Sequence, residues 1–163
     1  MAASELSAQL WQERELLELL LFKLEEEQLL LIAGKSRWIS HATREVEQVM
    51  ERMRLAGLAR SVNVTTVAEE YGLGPDATLR ELAAAAPDGV WSDILSSHLI
   101  AMTELTGQIA EVRDTNERLL REAARSTQET LSGLTGTTYP GLYGAGGETR
   151  PADAGGRLFD TEA

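Results

Sequence analysis

The groups in this sequence with which chemistry would be done are two histidines, one carboxylate cluster and two glycine-rich stretches. Their spacing assembles no catalytic centre. The histidines are His41 and His98. A di-iron helical bundle uses Glu-x-x-His, in which a carboxylate and an imidazole one turn apart share a metal. Three residues before the two histidines stand Trp38 and Leu95 instead. His98 falls on an apolar helical seam and reads as a core or interface residue rather than a ligand. Glu25, Glu26 and Glu27 are consecutive, so on a helix they point about 100° apart and cannot converge on one ion. They read as a solvated face. Gly72-Leu73-Gly74 and the glycines at 144, 146 and 147 follow no strand and bring no Lys-Ser/Thr pair, so neither stretch is a nucleotide loop. No catalytic residue, metal or cofactor is expected, and the chain reads as a non-enzyme.

The elements that must position any site are helices. With 163 residues and 43% hydrophobic content the chain suits one domain with a real core. Aromatic residues make up only 5% and prolines number four, while Leu, Ala, Glu and Arg dominate, the bias of long helices. The formal charge of -11 argues against nucleic acid and anionic membranes, because both are polyanions that select basic patches. The absence of cysteine excludes a disulfide framework and fits a reducing compartment, so a cytoplasmic protein is expected. The first residues lack the plan of a secretory signal. The most apolar run, residues 16–24, is interrupted by Glu18 and Lys23 and is far shorter than the roughly 20 residues of a membrane span, so no membrane insertion is expected.

Leu6, Leu10, Leu17, Leu20, Leu24 and Leu31 recur at spacings built from threes and fours, which predicts a first helix over residues 4–33, capped by Ser4 and closed by Gly34. Two positions of that seam fall on Glu13 and Glu27, while Leu16, Leu19, Leu21 and Phe22 widen the apolar surface. A second helix is expected over 38–60, burying Ile39, Ala42, Val46, Val49, Met50 and Met53. Residues 62–72 either continue it or form a separate helix, since their β-branched run lowers helix propensity. A connector helix over 78–86 ends at Pro87-Asp88-Gly89. The last helix, 90–134, has the cleanest pattern: Trp91, Leu95, His98, Met102, Leu105, Ile109, Val112, Asn116, Leu119 and Ala123 alternate four and three apart. At 1.5 Å per residue it would be roughly 65 Å long against roughly 45 Å for the first, so it is expected to outreach its partners. The fold class is all-α: a three-helix, largely antiparallel coiled-coil bundle over 1–136 with a short connector helix, followed by a disordered tail over 137–163.

Near Leu120 the register shifts, and Leu120, Ala124, Thr127, Leu131 and Leu134 form a smaller, more open apolar face. An amphipathic face without an internal partner invites a partner helix. Burying four leucines there at roughly 1.5–3 kcal/mol each gives about 6–12 kcal/mol before ordering costs. Asn116, on the seam, is either a register-setting amide or a polar anchor for a bound peptide.

Asn116-Glu117-Arg118-Leu119-Leu120 in the last helix, and Pro140-Gly141-Leu142-Tyr143-Gly144-Ala145-Gly146-Gly147 behind it, resemble the FlgN family of flagellar type III export chaperones. The likeness in helical pattern runs over most of the chain, and these two motifs are its specific part. Members often carry a second Asn three residues before the first, where this chain has Arg113. The resemblance implies a cytosolic chaperone for the hook-filament junction proteins, hook-associated proteins 1 and 3. It implies substrate binding by Asn116, Leu119, Leu120, Ala123, Leu131 and Leu134, and docking on the cytosolic domain of the export gate protein through Leu142, Tyr143 and Gly144. Tyr139 competes with Tyr143 for that role, and the Leu142-Tyr143-Gly144 context favours Tyr143. The export ATPase is a further partner that the resemblance suggests. The rival reading is a self-associating structural coiled-coil protein that uses the broad apolar surface of residues 16–24.

Overall fold

The computed structural model describes residues 2–87 and 89–136, and every regular element among them is an α-helix. In chain order these are α1 (Ala2–Ile32), α2 (Ser36–Glu70), α3 (Leu79–Ala85) and α4 (Val90–Gly136). The chain divides into two units, Met1–Ala123 and Ala124–Ala163. The packing of the helices on one another lies in the first, and residues 124–136 of α4 are the described part of the second.

Helices α1 and α2 each end on a glycine at positive φ. At the end of α1, Gly34 has φ 64°, its N–H donates to the Leu31 carbonyl at 3.1 Å, and the Lys35 N–H donates to Leu30 at 3.0 Å. At the end of α2, Gly72 has φ 70°, its N–H donates to Glu69 at 3.2 Å, and Leu73 N–H donates to Ala68 at 2.8 Å. This paired bonding satisfies carbonyls that a helix end leaves open, and it requires a left-handed residue that only glycine adopts without a Cβ clash. Leu73 then packs back onto the core. The short α3 starts on a reciprocal cap. The Glu81 N–H donates to the Thr78 hydroxyl at 3.3 Å, and the Thr78 N–H donates to the Glu81 carboxylate at 2.7 Å.

Side-chain pairings fix how the helices run. Gln9 meets Asn63, Glu13 meets Arg60, Lys23 meets Glu45 and Glu27 meets Thr43. Partner numbers fall along α2 as they rise along α1, so this pair is antiparallel. Along α4 they rise together: Ser7 meets His98 at a separation of 91 residues, and Leu24 meets Asn116 at 92. The near-constant offset makes α1 and α4 parallel, with α1 contacting both other long helices.

The main core lies where α1 begins and α2 ends. It joins Leu6 and Leu10 of α1, Val64, Val67 and Ala68 of α2, Leu82 and Ala83 of α3, Ala86, and Leu95 of α4. The connector α3 therefore contributes core side chains as well as a change of direction. Burial of Val64, Val67 and Ala68 also explains why the β-branched stretch stays helical: packing of an apolar face outweighs a weak intrinsic preference.

Three local expectations are corrected. Ser4 lies inside α1, which starts at Ala2, and so does not cap it. Met50 is 55% exposed, because its neighbour Val49 takes the inward position and successive helical residues diverge. Glu27 is buried and Glu26, half-buried, bonds to Lys23, so the three consecutive carboxylates do not form one solvated face.

Candidate protein-binding site

Polar groups along the α1 seam come in three layers, each with a partner from another helix. The first is centred on His98, 2% exposed, whose Nε2 lies 3.1 Å from the Ser7 hydroxyl. The Trp11 ring meets the imidazole edge-on, with centroids 5.2 Å apart, and the Arg14 guanidinium sits 4.2 Å from the centre of the Trp11 ring. Burial, followed by the nearby Arg14 charge, pushes the His98 pKa below its ordinary value. The neutral imidazole is thereby favoured, packed between the Ser7 hydroxyl and the Trp11 ring.

The second layer pairs Glu13 with Arg60 at 2.9 Å. The third joins three helices: Glu27 accepts from the Thr43 hydroxyl at 2.6 Å and from the Asn116 amide at 3.1 Å, and the same amide nitrogen donates to the Leu24 carbonyl at 2.8 Å. Both Glu seam positions are thereby supplied with donors, as a buried carboxylate requires. Asn116 Oδ1 is buried with no hydrogen-bond partner among the described residues. An inverted amide would aim that oxygen at the Leu24 carbonyl and the Glu27 carboxylate, so the observed orientation is the only one with donors toward acceptors.

Past this layer the character of α4 changes. Every residue of α4 over 120–136 is exposed. Of the residues singled out from the sequence, Asn116 is buried at 2% and directed at α1, Leu119 is half-buried, and Leu120, Ala123, Leu131 and Leu134 are exposed. Leu120 is 37% exposed and Leu131 57%. The amide and the exposed leucines thus do different work: one is inside the packed helices, the others lie on an accessible helix surface. Leu142, Tyr143, Gly144 and Tyr139 lie outside the described residues.

Sequence reasoning found the seam glutamates but missed their partners, as well as the contacts of Ser7, Trp11 and Arg14 around His98. Serine and arginine carry no periodic signal. No group of His, Asp and Glu among the described residues is arranged to hold a metal ion, and no described helix is long and apolar enough to cross a membrane.

The family model described as FlgN protein matches residues 1–151. The chain belongs to the FlgN family. That match covers all four helices and extends over the Tyr139 to Gly147 stretch beyond them. FlgN is a family of flagellar export chaperones rather than of known enzymes, and membership supports an export-chaperone role that involves binding flagellar export substrates. No curated protein and no solved structure matches the chain significantly.

Proposed function

We propose that this FlgN chain binds the C-terminal helical segment of hook-filament junction proteins, hook-associated proteins 1 and 3. In this reading Leu119, Leu120, Ala123, Leu131 and Leu134 form the client face. Asn116 stands behind it and holds α4 in register on α1. The bound client stays soluble in the cytoplasm and is delivered to the cytosolic domain of the export gate protein, with Leu142, Tyr143 and Gly144 as the docking segment.

The observation that carries the proposal is the exposure of α4 over residues 120–136 while Leu120 and Leu131 remain on its surface. A helix in water gains nothing from exposed leucines, whereas a partner helix read through anchors at helical spacing buries them. The test mixes the full-length chain with the C-terminal segment of a hook-associated protein and follows the mixture by size exclusion with light scattering. A one-to-one complex is expected, lost in the Leu120→Glu/Leu131→Glu variant while far-UV circular dichroism is unchanged. Absence of the complex with both junction proteins overturns the client assignment. Concentration-dependent assembly of the chain alone, abolished by the same variant, would assign the face to self-association instead.

A further inference from the structure

The acidic charge of the chain is not evenly spread. Residues 28–44, the end of α1 and the start of α2, contain Lys35, Arg37 and Arg44 and no Asp or Glu. Those three belong to a total of 15 basic residues, so the rest of the chain sets 12 against 26 acidic residues, a formal charge of -14. Several other basic side chains are paired, Lys23 with Glu26 and Glu45, Arg54 with Glu51 and Arg60 with Glu13, while Arg52, Arg80 and Arg118 stand singly elsewhere among acidic neighbours in the sequence. Lys35, Arg37 and Arg44 are exposed and make no ion pair among the described residues.

The same turn exposes large apolar side chains. Leu29 and Ile32, one helical turn apart on α1, are each 67% exposed, and Trp38 of α2 is 46% exposed. The Arg37 guanidinium lies 4.6 Å from the Trp38 ring centre, and the His41 ring lies 5.7 Å from it on a tilted approach. Beside Trp38, a groove of about 360 Å³ is lined by Leu30, His41 and Ala42 and also by Glu26 and Glu45, whose carboxylates both pair with Lys23. An exposed tryptophan stacked by arginine, on a turn that also exposes two large aliphatic side chains, has the composition of a binding hot spot rather than of a solvated turn.

We infer that the α1–α2 turn is a second docking surface, and that it receives an acidic amphipathic segment of a partner protein. Leu29, Ile32 and Trp38 bury the apolar side of that segment, and Lys35, Arg37 and Arg44 meet its carboxylates. Charge decides against the other occupants. A second copy of the chain brings the same net -11. An anionic bilayer is an extended plane that would face the acidic remainder of the molecule as well as the turn, whereas a short segment contacts the turn alone, with the rest screened beyond about 8 Å at physiological salt. This inference does not depend on the client face of α4.

The test uses the full chain labelled with 5-fluorotryptophan, whose Trp38 signal in fluorine NMR is identified with Trp38→Phe. The probe is a synthetic helical peptide with leucines at i, i+3 and i+7 and glutamates on its flanks; a matched peptide carries lysines instead. The glutamate peptide is expected to shift the Trp38 signal, to leave Trp91 in place, and to bind about tenfold more weakly in Lys35→Glu/Arg37→Glu or at about 0.5 M salt. Ile32→Ser, which leaves every charge intact, is expected to weaken it as well, and Leu131→Glu is expected to change nothing. Equal binding of the lysine peptide, or retained affinity in both turn variants, overturns the proposal. So does a Trp38 shift produced only by vesicles of anionic lipid, or by raising the concentration of the chain alone.

Discussion

Asn116 donates its side-chain amide to the backbone carbonyl of Leu24 at 2.8 Å, on a neighbouring helix 92 residues away. This bond, with the second one to Glu27 at 3.1 Å, ties α4 to α1 at the last layer before α4 becomes fully exposed. Asn116→Asp puts a second carboxylate against Glu27. Asn116→Ala leaves Glu27 and the Leu24 carbonyl each short of one donor. The alanine variant is expected to lose about 1–3 kcal/mol in urea unfolding, the usual cost of orphaning a buried polar partner. The aspartate variant is expected to lose more at pH 7 than at pH 4, where protonation relieves the like-charge contact. Equal losses at the two pH values would show that the two side chains are not in contact.

Glu13 and Arg60 make a test of a different kind, since the carboxylate side chain is 3% exposed and the guanidinium 34%. Removing Arg60 strands a buried charge, whereas removing both removes the problem along with the bond. Arg60→Ala is expected to cost about 3–5 kcal/mol, and Glu13→Leu/Arg60→Ala much less, because desolvation of the ion pair offsets most of its attraction. A double-mutant cycle in chemical denaturation measures this. A double variant as unstable as Arg60→Ala alone would refute the burial argument.

How much of this was legible in the sequence depends on the kind of contact. Leu6, Leu10, Leu17 and Leu24 are buried on α1 as the spacing of leucines requires, and Gly34 ends that helix. Glu13, Glu27 and Asn116 stood out as polar residues on apolar seams, because periodicity identifies a face. It does not name the neighbour. The partners of those residues lie 47 residues away for Glu13 and 89 for Glu27 with Asn116, and no local pattern encodes such separations. The parallel run of α1 and α4 became visible only through the Ser7–His98 and Leu24–Asn116 pairs. Likewise, the burial of Val64 and Val67 against α3 comes from tertiary packing that overrides the β-branched preference. The open face past Leu120 was legible in the register shift, whereas spacing alone left undecided whether Asn116 faces a neighbouring helix or a bound peptide, and its bond to Leu24 decides that.

His98 connects stability to pH. Burial and Arg14 lower its folded-state pKa, so below the ordinary value near 6.5 the unfolded chain binds a proton that the folded chain resists. The stabilisation from the neutral imidazole is therefore complete above that value and is lost as pH falls through the depressed folded one. Melting temperatures measured from pH 7.5 to 5 are expected to fall more steeply for the wild type than for His98→Leu. Parallel curves would mean that His98 titrates normally.

Tyr143 separates client binding from docking. It lies outside the described residues, so the expectation rests on family membership and on the Leu142-Tyr143-Gly144 sequence rather than on geometry. An aromatic side chain between Leu and Gly offers a large apolar contact at low entropic cost, since a tyrosine has few torsions to fix. Tyr143→Ala is expected to retain the one-to-one complex with a hook-associated protein segment. It is also expected to weaken binding of that complex to the cytosolic domain of the export gate protein by at least about tenfold, the loss of roughly 1.4 kcal/mol. Tyr139→Ala serves as the control and is expected to weaken it less. Isothermal titration of the gate domain with preformed complex distinguishes the two. A larger effect from Tyr139 would move the docking role to that residue, whereas loss of the client complex in Tyr143→Ala would place Tyr143 in the client site and remove the distinction between the two functions.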